Sequence, residues 1–182
     1  MSKLYFKFGA MASSKTANAL MTRFNYEEKG NHVWLIKPDL DNRDDYVDEH
    51  GMRVTVVKSR IGLSAVADVV GRDEDILRRF ASVRDSAPVD VIICDECQFL
   101  TAEQVDQLKY IAECCDTPVL CFGLRTDFLT RLFPGSQRLM ELADCIEEIK
   151  TMCDCGAKAT VNARIRDGLI VTEGAQVVLG GN

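Results

Sequence analysis

The sequence predicts an α/β fold: a parallel sheet with helices on both faces, followed by a small C-terminal lobe. Three observations carry this reading. Apolar runs of strand length alternate with segments whose apolar residues recur at helical spacing, an order that favours parallel strands joined by helical crossovers. The runs Val89-Asp90-Val91-Ile92-Ile93-Cys94 and Pro118-Val119-Leu120-Cys121-Phe122-Gly123 are apolar nearly throughout, the mark of central strands buried on both faces. From Thr151 onward the composition changes to short β-like runs punctuated by Gly168 and Gly174. The division is therefore a main domain over residues 1–150 and an appended lobe over 151–182.

Taken in order, Lys3-Leu4-Tyr5-Phe6-Lys7-Phe8 alternates and reads as the first strand. Ala17, Leu20, Met21 and Phe24 mark the buried side of the first helix, which ends near Gly30. Residues 32–37 form the second strand, stopped by Pro38. Residues 39–53 are polar and dense in acids and read as one long loop, a length often reserved for function. Residues 54–57 suit a short strand, and 64–70 fit either a helix or a strand. Residues 74–82 are helical, with Ile76, Leu77 and Phe80 on one side. Thr101 and Gln104 form a capping box ahead of a helix that buries Ala102, Val105, Leu108 and Ile111. Residues 136–142 make a short helix and 145–150 a strand. In the lobe, 158–166, 169–172 and 176–179 are the β-like runs.

With 182 residues and 47% hydrophobic composition the chain can bury a full core. A net charge of −6 argues against a protein built to coat nucleic acid or an anionic membrane. No apolar run approaches the roughly 20 residues that span a bilayer, and the N-terminus enters the first strand without a signal-peptide layout. The expected location is cytoplasmic, where the eight cysteines stay mostly reduced. Cys94, Cys97, Cys114, Cys115, Cys121 and Cys145 lie in or beside apolar runs and read as small buried hydrophobes.

The chemistry begins at Gly9-Ala10-Met11-Ala12-Ser13-Ser14-Lys15-Thr16, which stands between the first strand and the first helix. Strand, small-residue loop ending in Lys-Thr, then helix is the context of a phosphate-binding loop. Backbone N–H groups and the helix dipole would face the phosphates, Lys15 the outer phosphates and Thr16 a Mg²⁺ ion. The pattern G-x-x-x-x-G-K-[ST] is broken at Ser14, where glycine belongs. At positive φ a serine costs about 1–2 kcal/mol; at negative φ it costs nothing. A serine-capped helix after an edge strand is the structural alternative.

Asp95 closes a buried strand, at the edge where open α/β sheets bind ligands. Paired with the loop, it predicts a metal-holding acid. Glu96 follows directly and suits a general base, worth typically about 10²–10⁴-fold in phosphoryl transfer to an alcohol. The same pair would serve an ATPase in which Glu96 activates water, or a nucleotide-binding module without turnover.

Asp95-Glu96-Cys97-Gln98-Phe99-Leu100 and Pro118-Val119-Leu120-Cys121-Phe122-Gly123-Leu124-Arg125-Thr126-Asp127-Phe128 resemble the type II thymidine kinase family in its bacterial form. Asp41-Asn42-Arg43, Ser59-Arg60-Ile61-Gly62-Leu63-Ser64, Gly135-Ser136, Cys153-x-Cys155-Gly156 and Gly180-Gly181-Asn182 fit the same family, so the resemblance spans essentially the whole chain. It implies transfer of the γ-phosphate of ATP to the 5′-hydroxyl of thymidine or deoxyuridine, between which the sequence does not choose. It implies Gly9 to Thr16, Asp95 and Gln98 as the MgATP site, with Thr16 and Asp95 on the metal and Glu96 as base. Met11, Phe99, Leu124 and Phe128 match the walls of the thymine pocket, although Phe99 and Phe128 also suit plain core positions. Asp41 and Arg43 match a loop near the phosphates. Gln176, Val177 and Val178 match a lasso that closes over the nucleoside. The resemblance also implies a homotetramer.

The chain departs from that family at Ser14 and at zinc. The family's small lobe holds structural Zn²⁺ with two ligand pairs, as closed zinc sites do. Cys153 and Cys155 supply the first pair; the second does not appear by Asn182, and His32 and His50 lie at spacings unsuited to replace it. A truncated sequence, rather than a degenerate site, is the expected reason.

Overall fold

A computed structural model describes residues 1–40, 42 and 44–176. In chain order the elements are β1 (Leu4–Phe8), α1 (Lys15–Glu27), β2 (Val33–Pro38), β3 (Tyr46–Val47), β4 (Arg53–Val54), β5 (Val56–Lys58), β6 (Ser64–Val66), β7 (Asp68–Val70), α2 (Ile76–Ser86), β8 (Val91–Cys94), a 3₁₀ turn (Cys97–Phe99), α3 (Ala102–Cys114), β9 (Val119–Gly123), α4 (Pro134–Leu142), β10 (Cys145–Glu148), β11 (Ile165–Arg166) and β12 (Leu169–Ile170). Six strands form one sheet in the order β10-β1-β9-β8-β2-β7. Every pairing in it is parallel. All strands therefore end at one edge, and β1, β9 and β8 bring their exits side by side there.

The expected helices on both faces are present, unequally divided. Ile92 and Cys94 of β8 join a core with Ile76 and Phe80 of α2, Val105, Leu108 and Ile111 of α3, and Leu139 of α4. Val91 and Ile93 point the other way, into a core with Ala19 and Leu20 of α1 and with Val57 of β5. This period-2 alternation with both faces covered explains why β8 is apolar throughout: all its residues are fully buried. Burying each such side chain is worth roughly 1.5–3 kcal/mol.

Several local expectations are corrected. In α1 the buried residues are Ala17, Ala19 and Leu20, while Met21 and Phe24 are 46% and 61% exposed. The core-facing side runs through Ala19, Leu20 and Tyr26, so it is rotated about the helix axis from the side the spacing marked. Residues 39–53 contain a two-stranded hairpin, β3 against β4. The ambiguous stretch 64–70 is two strands: β6 pairs antiparallel with β5, and β7 joins the main sheet beside β2. The second helix runs from Ile76 to Ser86, four residues beyond the expected end at 82, with Asp75 accepting from the Arg78 N–H as its cap. Of the cysteines, Cys94, Cys97 and Cys121 are buried, Cys115 and Cys145 half-buried and Cys114 exposed. The last three sit at the C-terminal end of α3 and on the edge strand β10, where one side lacks a covering layer.

β10 is the last strand of the main sheet. Beyond it β11 and β12, two residues each, form a hairpin, so the expected run 158–166 is paired only at its ends: Lys158 bridges Met152, and Ile165–Arg166 form β11. Among the described residues no helix is long and apolar enough to cross a membrane.

Candidate active site

The loop after β1 is held from two sides. The Gly9 N–H donates to the Gly123 carbonyl at 3.3 Å, tying the loop to the end of β9. A Cβ on Gly9 would collide with Ser13 Oγ and would lie 2.5 Å from the Ile149 carbonyl, so this position has no room for a side chain. Ser14 caps α1 at φ 59°, and its side chain makes no capping hydrogen bond. The glycine-specific backbone conformation is thus retained with a serine in it, and the strain is real. Ala12 has φ 61° as well. Lys15 folds back over the loop, donating to the Ala10 carbonyl at 2.8 Å and to Ser13 Oγ at 3.4 Å. Burial lowers its pKa, against the opposing charges of Glu96 and Asp95.

Thr16 Oγ1 donates to Asp95 Oδ2 at 2.9 Å, so the first turn of α1 meets the end of β8. Asp95 is buried, and its pKa is pushed up to about 7 by that burial and by the neighbouring charge of Glu96. The two oxygen donors suit a hard cation such as Mg²⁺. Glu96 follows in the left-handed region at φ 53°, where a side chain is uncommon and strain often marks a functional position. The sharp turn there lets Asp95 and Glu96 point apart. Gln98, 1% exposed, donates from Nε2 to Glu96 Oε2 at 2.5 Å and accepts the Leu124 N–H at 3.0 Å.

Of the residues expected to wall a nucleoside pocket, Phe99, Leu124 and Phe128 are half-buried and Met11 is 50% exposed. Phe99 packs edge-on against Phe133 with centroids 5.8 Å apart. Gln176 is exposed. Asp41, Arg43, Val177 and Val178 lie outside the described residues. Cys153 and Cys155 sit on a tight turn closed by Gly156, whose N–H reaches the Cys153 carbonyl at 2.8 Å. Both are exposed, and among the described residues no third His, Cys, Asp or Glu completes a metal cluster with them. Two thiols are half of a closed zinc site.

Sequence reasoning missed the side chains that join the segment after β10 to this edge. Asn162 accepts the Met11 N–H at 2.7 Å and donates to the Thr126 carbonyl at 3.2 Å, bridging the phosphate loop and the segment after β9. The Arg164 guanidinium lies 3.8 Å from the Phe128 ring centroid and donates to the Ala175 carbonyl at 3.1 Å. The Thr151 hydroxyl reaches the Ala12 carbonyl at 3.2 Å. Ser136 Oγ donates to the Leu124 carbonyl at 2.5 Å, and a Cβ on Gly135 would lie 2.6 Å from the Cys97 carbonyl. That accounts physically for the Gly135-Ser136 pair noted in the sequence. A groove of about 570 Å³ on α2, lined in part by Leu77, Phe80, Arg84 and Cys115, shares no residue with this edge.

A Lys-Thr loop entering a helix, with a strand-end acid against its threonine on a six-stranded parallel sheet, is consistent with a phosphate-loop type of core. A family model for thymidine kinase matches residues 2–182. The chain is 42% identical over 183 aligned residues to a thymidine kinase of Yersinia pseudotuberculosis, covering 100% of this chain and 89% of that one. It is 42% identical to a thymidine kinase of Vibrio cholerae and 40% to one of Agrobacterium fabrum, each with 100% of this chain and 91% of the relative covered. The chain belongs to the thymidine kinase family, and is thereby a kinase, a phosphotransferase.

Proposed function

We propose that this chain transfers the γ-phosphate of MgATP to the 5′-hydroxyl of thymidine or deoxyuridine. The observation that carries the reading is the Thr16–Asp95 hydrogen bond, because it sets the phosphate loop against the strand end that also bears Glu96. The loop from Gly9 to Ser14 cradles the phosphates, and Lys15 swings from the Ala10 carbonyl to meet them. Thr16 and Asp95 hold Mg²⁺, which when bound neutralises charge on the transferring phosphoryl group. Glu96 accepts the 5′-hydroxyl proton as that oxygen bonds to the γ-phosphorus and the bond to the ADP oxygen breaks. Met11, Phe99, Leu124 and Phe128 wall the base, with Gln176, Val177 and Val178 closing over it. By resemblance Asp41 and Arg43 belong to a loop near the phosphates.

In this reading Cys153 and Cys155 would supply one ligand pair to a structural zinc site, and no catalytic step passes through it. A homotetramer fits the family resemblance. Eight free cysteines agree with a reducing, cytoplasmic location.

The test is incubation with MgATP and each deoxynucleoside separately, with products resolved by chromatography. Thymidine monophosphate formed from thymidine is the expected result. ADP released at one rate whatever nucleoside is present would make the chain an ATPase instead.

A further inference from the structure

We infer that Gln98 is a positioning residue for Glu96, coupling the carboxylate of the proposed base to the wall of the nucleoside pocket. The inference rests on the reading of Glu96 as that base. Backbone geometry alone does not aim a glutamate. The left-handed turn at Glu96 fixes the direction of its Cα–Cβ bond, but the bonds beyond still rotate. Gln98 supplies a constraint on those bonds by binding Glu96 Oε2 at 2.5 Å from a site with 1% exposure.

The Gln98 amide is itself fixed at both ends. Its Nε2 only donates and its Oε1 only accepts. A carboxylate on one side and the Leu124 N–H on the other therefore allow one orientation of the amide. Space has been kept for it: a Cβ at residue 123 would lie 2.5 Å from Gln98 Oε1 and 2.7 Å from Cys97 Sγ, and that residue is glycine. Leu124 is held from the opposite side, its carbonyl accepting from Ser136 Oγ at 2.5 Å. The result is a relay Glu96–Gln98–Leu124–Ser136 from the reacting edge to the first turn of α4. Leu124 carries both a pocket-wall side chain and the N–H that anchors Gln98. A nucleoside pressing on that wall acts on the same peptide unit that aims the base. Gln98 also counts, by resemblance, among the MgATP residues, but here both ends of its amide are engaged away from the phosphate loop.

The experiment is a double-mutant cycle of Gln98→Leu and Glu96→Gln, read by steady-state and single-turnover kinetics with labelled ATP. Gln98→Leu is expected to lower kcat by about 10–100-fold, as misplacement of a reacting group does, with KM for ATP unchanged. In the Glu96→Gln background the same change is expected to cost nothing further. An equal fold loss in both backgrounds would overturn the inference while leaving Glu96 as base. A loss confined to KM for ATP would place Gln98 on the nucleotide instead. Wild-type turnover in Glu96→Gln alone would remove the base reading itself. If Gln98→Leu does not fold, Gln98→Met keeps the chain length without either polar end and carries the same cycle.

Discussion

The Thr16 hydroxyl and the Asp95 carboxylate, 79 positions apart in sequence, meet at 2.9 Å across the carboxyl edge of the sheet. That contact joins the loop between β1 and α1 to the end of β8. Thr16 reaches it because α1 starts immediately after the loop, and Asp95 because β8 ends in the centre of the sheet.

If the two oxygens share Mg²⁺, removing one donor weakens the metal before it weakens the nucleoside. Thr16→Val keeps the shape of the side chain and removes the hydroxyl. It should raise the Mg²⁺ concentration for half-maximal activity and lower kcat/KM for ATP by about tenfold or more, while Thr16→Ser stays near wild type. A Mg²⁺ titration of activity reads this, and an unchanged half-saturation point would disconnect Thr16 from the metal.

Ser14 stands at φ 59° with no hydrogen bond from its side chain to offset the strain. Ser14→Gly removes a penalty of about 1–2 kcal/mol and adds back part of it through a freer unfolded chain. The net gain should be near 1 kcal/mol, which raises Tm by about 2–4 °C in a chain of this size. Activity should hold, since the loop keeps its path. A lower Tm in the variant would show that serine contributes an interaction the strain argument omits.

What the sequence made legible was whatever one segment writes in its own composition. β8 and β9 read as central strands because burial on both faces leaves an apolar run. The capping box is equally local: Thr101 Oγ1 accepts the Gln104 N–H, and Gln104 Oε1 the Thr101 N–H, each at 3.1 Å. The loop position between β1 and α1 and the Asp95-Glu96 strand end were legible for the same reason, though not the Thr16–Asp95 hydrogen bond between them. Residues 64–70 were ambiguous because they divide into two three-residue strands with different partners, too short for any period to register. Asn162 and Arg164 were silent in another way, and so was the bond partner of Gln98, although the Asp95-Glu96-Cys97-Gln98 motif itself marked that residue. Each is a single polar residue whose meaning is a partner elsewhere: Leu124 lies 26 positions from Gln98, and Thr126 36 positions from Asn162. Nothing in the neighbouring sequence marks such a partner.

A last consequence concerns the segment after β2. Asp45, with 6% of its side chain exposed, receives Arg53 Nη2 at 2.7 Å, and Lys37 Nζ lies 3.7 Å away with 2% exposed. It also accepts from Thr55 Oγ1 and the Val56 N–H, both at 3.2 Å. Burial alone would raise the Asp45 pKa, but the hydrogen bonds from Arg53 and Val56 and the charge of Lys37 outweigh it and hold the carboxyl below its ordinary 3.8. A depressed folded pKa contributes stability in full above the unfolded value, and that contribution is lost as pH falls through the folded value. Asp45→Asn should therefore destabilise the protein by about 2 kcal/mol at pH 7, the cost of leaving buried donors poorly satisfied. The gap between variant and wild type should narrow once the pH drops below about 4. Urea unfolding at pH 7 and pH 3 measures both points. A gap of the same size at the two pH values would mean that Asp45 acts through its shape rather than its charge.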